Sequence, residues 1–154
     1  MLTNGQLYQV LEDASRRYSD LKKRFAEFSG QLQSAFTQND PYIKGVTLNA
    51  VLDANFLDLG FAGRTFRLVF TTAISEQKRG LVGVVRCYAV VEYPEKKLVD
   101  TGGFSFSPRG ESNIIGPPPD DDPLHIDWEL SARYIALHLI NEALAKLAPE
   151  LQIG

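Results

Sequence analysis

Between Leu7 and Ala35 the chain places Leu7, Leu11, Ala14, Tyr18, Leu21, Phe25, Phe28, Leu32 and Ala35 at alternating intervals of four and three. Only a helix brings such positions to one face, so the first third of the chain is predicted to be one long helix with a heptad seam. Thr3 and Gln6 form a capping box ahead of it, and Asn39-Asp40-Pro41 stops it. Gly30 weakens the last turns by about 1 kcal/mol relative to Ala and marks a place for a kink. Unbroken, the helix is roughly 50 Å long at 1.5 Å per residue.

The hydrophobic period then changes from 3.6 to 2. Val46, Leu48 and Ala50 alternate with polar residues, and Asp53-Ala54-Asn55 reads as a turn. Further strands are expected over 56–61, over a segment with Phe66, Leu68, Phe70, Thr72 and Ile74 on one face, over 81–93, and over 99–107. Short connections between them make an antiparallel meander the simplest arrangement. Residues 108–123, with five prolines and two glycines, are expected to form an irregular, solvent-exposed loop. Asp127 reads as the N-cap of a final helix from Trp128 to about Leu147, before Pro149. Its apolar face spans more than half the circumference, so it should touch both the sheet and the first helix.

The fold class that follows is α+β, a single domain over 1–154. A long N-terminal helix, a five-stranded antiparallel meander and a C-terminal helix follow in order, with both helices on one sheet face. The expected core is Leu21, Phe25, Phe28, Phe66, Leu68, Phe70, Phe104, Trp128, Ile135 and Leu139.

Composition narrows the setting. A chain of 154 residues with 44% apolar and 23% charged residues is in the ordinary globular range. Its one cysteine, Cys87, excludes an intrachain disulfide and fits a reducing compartment. The first residues carry acids and no apolar core segment, unlike a signal peptide. The richest apolar run, 81–91, is short and contains Arg86, too little to cross a bilayer. A soluble cytoplasmic protein with no membrane association is expected. Arg16, Arg17, Lys22, Lys23 and Arg24 cluster on the first helix, but Glu12, Asp13, Asp20 and Glu27 interrupt them. A nucleic-acid footprint is a more continuous basic stripe, so no nucleic acid is expected.

Catalytic motifs do not emerge. There is no GxSxG elbow, no phosphate-binding glycine loop and no HExxH, and Cys87 falls inside an apolar strand where a thiol is inert packing. His138 falls on the polar side of the last helix. His125 has Asp120, Asp121, Asp122 and Asp127 within five residues, a composition that suits a divalent metal without matching a known ligand spacing. A metal-dependent enzyme around His125 is thus one alternative, and a carrier of a small apolar ligand between helix and sheet is another. The favoured expectation is a non-catalytic protein–protein interaction module with no cofactor and no metal, of the inhibitor, immunity, chaperone or adaptor type.

Three surfaces carry that expectation. A helix of roughly 50 Å outruns strands of roughly 33 Å, leaving seam residues Leu7 and Leu11 at one end and Leu32 and Ala35 at the other to pair with a partner, most simply as a homodimer. The outer sheet face mixes Arg67, Arg86 and Tyr88 with valines, as interfaces do. Residues 100–154 carry three basic and nine acidic residues. Asp120, Asp121 and Asp122 could thus steer a basic partner. These aspartates would be strongly destabilising if buried unpaired. Replacing all three with Asn is therefore expected to move the melting temperature by no more than about 2 °C, and a thermal melt of the triple variant checks this.

Overall fold

The computed structural model describes residues 1–37, 44–50, 54–75, 80–116 and 122–151. Helix α1 (Asn4–Thr37) runs unbroken for 34 residues. Its capping box forms as the sequence predicts: the Gln6 amide donates to Thr3 Oγ1 at 3.1 Å, and the Thr3 amide donates to Gln6 Oε1 at 2.8 Å. Gly30, exposed and with no atom near its Cα side, does not interrupt it. The expected stop at Asn39-Asp40-Pro41 and the turn residue Asp53 lie outside the described residues.

Seven strands follow: β1 (Thr47–Ala50), β2 (Phe56–Phe61), β3 (Arg64–Ser75), β4 (Gly80–Val91), β5 (Lys97–Phe106), β6 (Glu111–Ile115) and β7 (Pro123–His125). Each pairs antiparallel with its neighbour in chain order, so the meander is as expected but two strands larger. Helix α2 (Glu129–Leu151) closes the chain. Strand β6 lies inside the segment 108–123 read as an irregular loop and β7 begins at its last residue, and the reason is where the prolines fall. Pro108 sits at the corner of a turn closed by the Gly110 amide donating to the Ser107 carbonyl at 2.8 Å, a position that suits a fixed φ. Pro123 is the first residue of its strand, where no ladder donor is needed. Between them Glu111–Ile115 is free of proline.

Both helices pack on one sheet face. Leu21, Phe25, Phe28 and Leu32 of α1 share a buried cluster with Ile135, Leu139, Ala143 and Leu147 of α2. Beneath them lie Leu57, Leu59, Phe66, Leu68, Phe70, Val85, Cys87, Phe104 and Phe106 from four strands. Aromatic pairs run through this contact: Phe25 stacks on Phe70 at 5.2 Å and Phe28 meets Phe104 edge-on at 5.7 Å. Such pairs add about 0.5–1.5 kcal/mol each to their area burial. These rings pack against one another between the helices and the middle of the sheet.

Two details of the last helix differ from expectation. Trp128 is 57% exposed and stacks on the His125 ring at 4.0 Å; Ile126, fully buried, takes the core position instead. Asp127 does not cap α2. The helix starts one residue later, with the Ala132 amide donating to the Trp128 carbonyl at 2.8 Å, and Asp127 Oδ2 accepts from Arg24 Nη1 at 3.1 Å. The same guanidinium donates through Nε to the Pro108 carbonyl at 3.0 Å, and Gln31 donates to the Asp127 carbonyl at 3.1 Å. Arg24 thus ties α1 to the β5–β6 turn and to the start of α2.

In β4 the chain needs a glycine for packing. Gly83 pairs with Phe106 of β5, and the Phe106 ring lies directly against the space a side chain at 83 would take. Gly83→Ala is expected to force that ring off its rotamer and to cost about 1–3 kcal/mol, read as a lower midpoint in a urea melt.

Candidate interaction surface

The seam of α1 divides into two halves with opposite fates. From Leu21 onward it is buried: Leu21, Phe25, Phe28, Leu32 and Ala35 are all in the core. Before Leu21 the same stripe is uncovered, with Leu7 45%, Val10 53% and Leu11 66% exposed, and with Tyr8 and Tyr18 exposed beside them. The first half of α1 therefore extends past the sheet. Overhang was expected at both ends, with Leu32 among the contact residues. Leu32 is instead fully buried, so the helix is offset toward its N-terminus.

The offset is fixed where the helix leaves the body. Arg17 Nε donates to the Leu81 carbonyl at the start of β4 at 2.7 Å, and Tyr18 lies 6.4 Å from the Phe70 ring in a stacked orientation. Beyond that lock, the helix and the end of the sheet form a corner. This cleft of about 570 Å³ is lined by Val10, Asp13, Ala14, Arg16, Arg17 and Asp20 of α1, by Ile74, Gly80 and Leu81 of β3 and β4, and by Pro108. Ile74, expected on the covered face of β3, is 73% exposed there because α1 and the sheet have already diverged. The signal that finds the corner is present in the sequence, an apolar end to β3 opposite an apolar helix, but only the offset brings the two together.

The outer sheet face has a different character. Register places Asn49, Asp58, Arg67, Tyr88 and Asp100 in one row across five strands, and Phe56, Val69, Arg86 and Gly103 in the next. Arg67 grips Asp58 through two bonds of 2.9 and 3.1 Å and lies over the Phe56 ring at 4.7 Å. Arg86 grips Asp100 through bonds of 2.6 and 3.3 Å, and the Gly102 amide donates to the same carboxylate at 3.0 Å. A bulge at Thr101 makes this last contact: β5 carries an extra residue opposite the Cys87–Tyr88 step, and Gly102 takes φ +137°. The two arginines of this face are thus bound within the sheet, while Tyr88 is half-buried between them.

The remaining expected site residues scatter. Asp122 is exposed on the approach to β7, while Asp120 and Asp121 lie outside the described residues. His125 stacks on Trp128 and Asp127 is held by Arg24; among the described residues no three metal-ligating side chains converge. His138 Nε2 lies 3.0 Å from Glu142 on the half-exposed side of α2. Of the basic cluster on α1, Arg16 pairs with Glu12 and Asp13, and Arg24 pairs with Glu27 and Asp127. Cys87 is buried, burial pushes its thiol up, and the Thr101 hydroxyl donates to its carbonyl at 3.1 Å. Among the described residues no helix is long and apolar enough to cross a membrane.

Comparison with protein-family models, with curated proteins and with solved structures finds no match to this chain. The surfaces themselves are therefore the ground for any reading of function.

Hydrogen bonding from Arg86 holds the Asp100 carboxyl below the usual carboxylate range. A carboxylate with a lowered folded-state value stabilises the fold above its ordinary range, and that contribution is lost as pH falls through the lowered value. Arg86→Met is thus expected to move the Asp100 titration, followed by carboxyl carbon resonance, up toward the ordinary range, with the Gly102 amide still opposing the change. Its destabilising effect should be present near neutral pH and should vanish once Asp100 is protonated.

Proposed function

We propose that this protein is a non-catalytic protein–protein interaction module whose docking element is the overhanging first half of α1. The observation that carries this reading is the single apolar stripe of α1, covered by its own fold from Leu21 on and uncovered over Leu7, Val10, Leu11 and Ala14. Leaving a large apolar side chain in water forfeits about 1.5–3 kcal/mol relative to burying it. Stripes of this kind, presented on a helix with charged residues on its other faces, are how helices dock into partners. Arg16 pairs with Glu12 and Asp13 beside Val10 and Ala14, so the apolar stripe has a charged border whose charges already answer one another. A reducing compartment remains the setting this reading favours, since Cys87 is a buried free thiol.

The outer sheet face supports the reading less, because Arg67 and Arg86 are each bound to a carboxylate of an adjacent strand, Asp58 and Asp100. The corner and the helix stripe are the better surface.

Leu11→Glu tests this directly. Leu11 is two-thirds exposed and belongs to no core contact, so the variant is expected to melt within about 2 °C of the wild type. With each form immobilised and exposed to host-cell extract, the wild type should retain a defined protein that the variant does not. Identical retention by both forms would refute the overhang as the docking element.

A further inference from the structure

We propose that a groove beside the second half of α1 binds a long-chain carboxylate, a capacity separate from docking by the overhang. The groove runs where α1 passes Ala50 at the end of β1 and Ala54 ahead of β2, and holds about 630 Å³, the size of a small-molecule site. Phe25, Ala26 and Gly30 on the helix, with Ala50 and Ala54 on the sheet side, give it apolar walls. Its polar side chains follow the helix in order: Tyr18, Ser19, Lys22 and Lys23 at one end, Ser29 within, and Gln33 at the other end. From Lys22 to Gln33 the helix advances about 16 Å, a length that suits an extended acyl chain. Gly30 helps to keep the trough open. A glycine inside a helix is less stable than alanine there, and a side chain at this position would meet no atom within 4 Å.

The charge of the groove is one-sided. Arg16 answers Glu12 and Asp13, Arg24 answers Glu27 and Asp127, and Arg17 donates to the Leu81 carbonyl. Glu27, four residues on from Lys23, is thus already engaged. Among the described residues, Lys22 and Lys23 have no carboxylate within ion-pair distance, and no acid lines the groove. The corner cleft differs, since Asp13 and Asp20 stand there beside Arg16 and Arg17. Two unanswered cations at one end of an apolar trough favour a ligand with an anionic head and an apolar body. Lysine stems are long and flexible, so each ammonium can lean over the groove while it stays hydrated.

The middle of the groove selects the body. A peptide laid there would carry its amides and carbonyls past Phe25, Ala26, Gly30, Ala50 and Ala54, whose side chains offer no partner. Each such group left unbonded on leaving water is costly. An acyl chain brings no group that needs a partner. The carboxylate then sits at Lys22 and Lys23, and the chain runs toward Gln33.

Titration calorimetry of the full chain with dodecanoate, kept below its micelle concentration, is expected to show saturable binding of one molecule per chain. Uncharged dodecanol should bind about tenfold more weakly, the difference that two partly exposed cations contribute. Lys22→Gln/Lys23→Gln should bring dodecanoate down to the level of dodecanol and leave dodecanol unchanged. Gly30→Leu fills the trough, so it should abolish binding of both while melting at or above the wild-type temperature, because leucine is the better helix former. Leu11→Glu, on the overhang, should bind dodecanoate as the wild type does. Absence of saturable dodecanoate binding overturns the proposal. So does binding that survives Gly30→Leu, or equal affinity for acid and alcohol in the wild type. Loss of binding in Leu11→Glu would place the ligand on the exposed stripe instead and overturns the groove, without bearing on whether the stripe docks a protein.

Discussion

The position of α1 along the sheet is set by a few aromatic contacts, and most of what is distinctive about this fold depends on it. Phe25 on Phe70, Phe28 on Phe104 and the contacts among Phe70, Phe104 and Phe106 fix the second half of the helix against the middle of the sheet. A helix cannot slide along such a layer, since the next position of its ridges in the grooves beneath is a full residue spacing away and the interior is packed as densely as a crystal. With Phe25 and Phe28 seated, Leu32 and Ala35 are carried into the core and everything before Leu21 is carried out of it.

Polar contacts then lock the helix at its two sides. Arg24, half-buried, answers the Pro108 carbonyl and the Asp127 carboxylate together, and Gln31 answers the Asp127 carbonyl. One oxygen of Asp127 makes no hydrogen bond among the described residues, and Gly110 packs so closely against it that any side chain there would collide. An oxygen left in that position is tolerable only while Arg24 neutralises its carboxylate, because an unpaired buried charge costs far more than the pair contributes. The turn that creates β6, the start of α2 and the register of α1 are therefore held by one guanidinium.

Much of this architecture is legible in the residues. The heptad spacing of α1, its capping box, the alternation in β3 and β4, and the core positions on both helices follow from period and side-chain chemistry acting locally. What escapes is whatever depends on position rather than pattern. Strands β6 and β7 are hidden because prolines bracket them, and composition alone does not distinguish a proline at a turn corner from one that interrupts a ladder. Ile126 and Trp128 exchange places for a similar reason: both precede α2 on the apolar side, and only the fold decides which one points inward. Arg67 and Arg86 look like outward-facing contact residues, yet Asp58 and Asp100, nine and fourteen residues away in sequence, reach them across the pleat. The uncovered end of the helix is legible as an excess of length, but its side is not. Strand length and helix length predict an overhang at both ends, and the aromatic seating assigns all of it to the N-terminus.

That one-sidedness bears on how the overhang behaves. About thirteen residues of α1 stand clear of the sheet, a length at which an isolated helix is marginal in water. This segment includes Gly5 and Ser15, which weaken it further. Two ties hold its ends, the capping box at Thr3 and Gln6 and the Arg17 contact with the Leu81 carbonyl, while its middle has its own backbone bonds, the Gln9 amide donating to Asp13, and the exposed pairs of Arg16 with Glu12 and Asp13. Exposed pairs of that kind add only a few tenths of a kcal/mol each. The nucleation cost has nonetheless been met already, because the helix grows out of a turn seated in the core and need only propagate. A partner that covers Leu7, Val10 and Leu11 therefore binds a helix that is formed but weakly held, and part of its binding free energy goes into holding it. Covering the stripe and ordering the helix are then two aspects of one equilibrium.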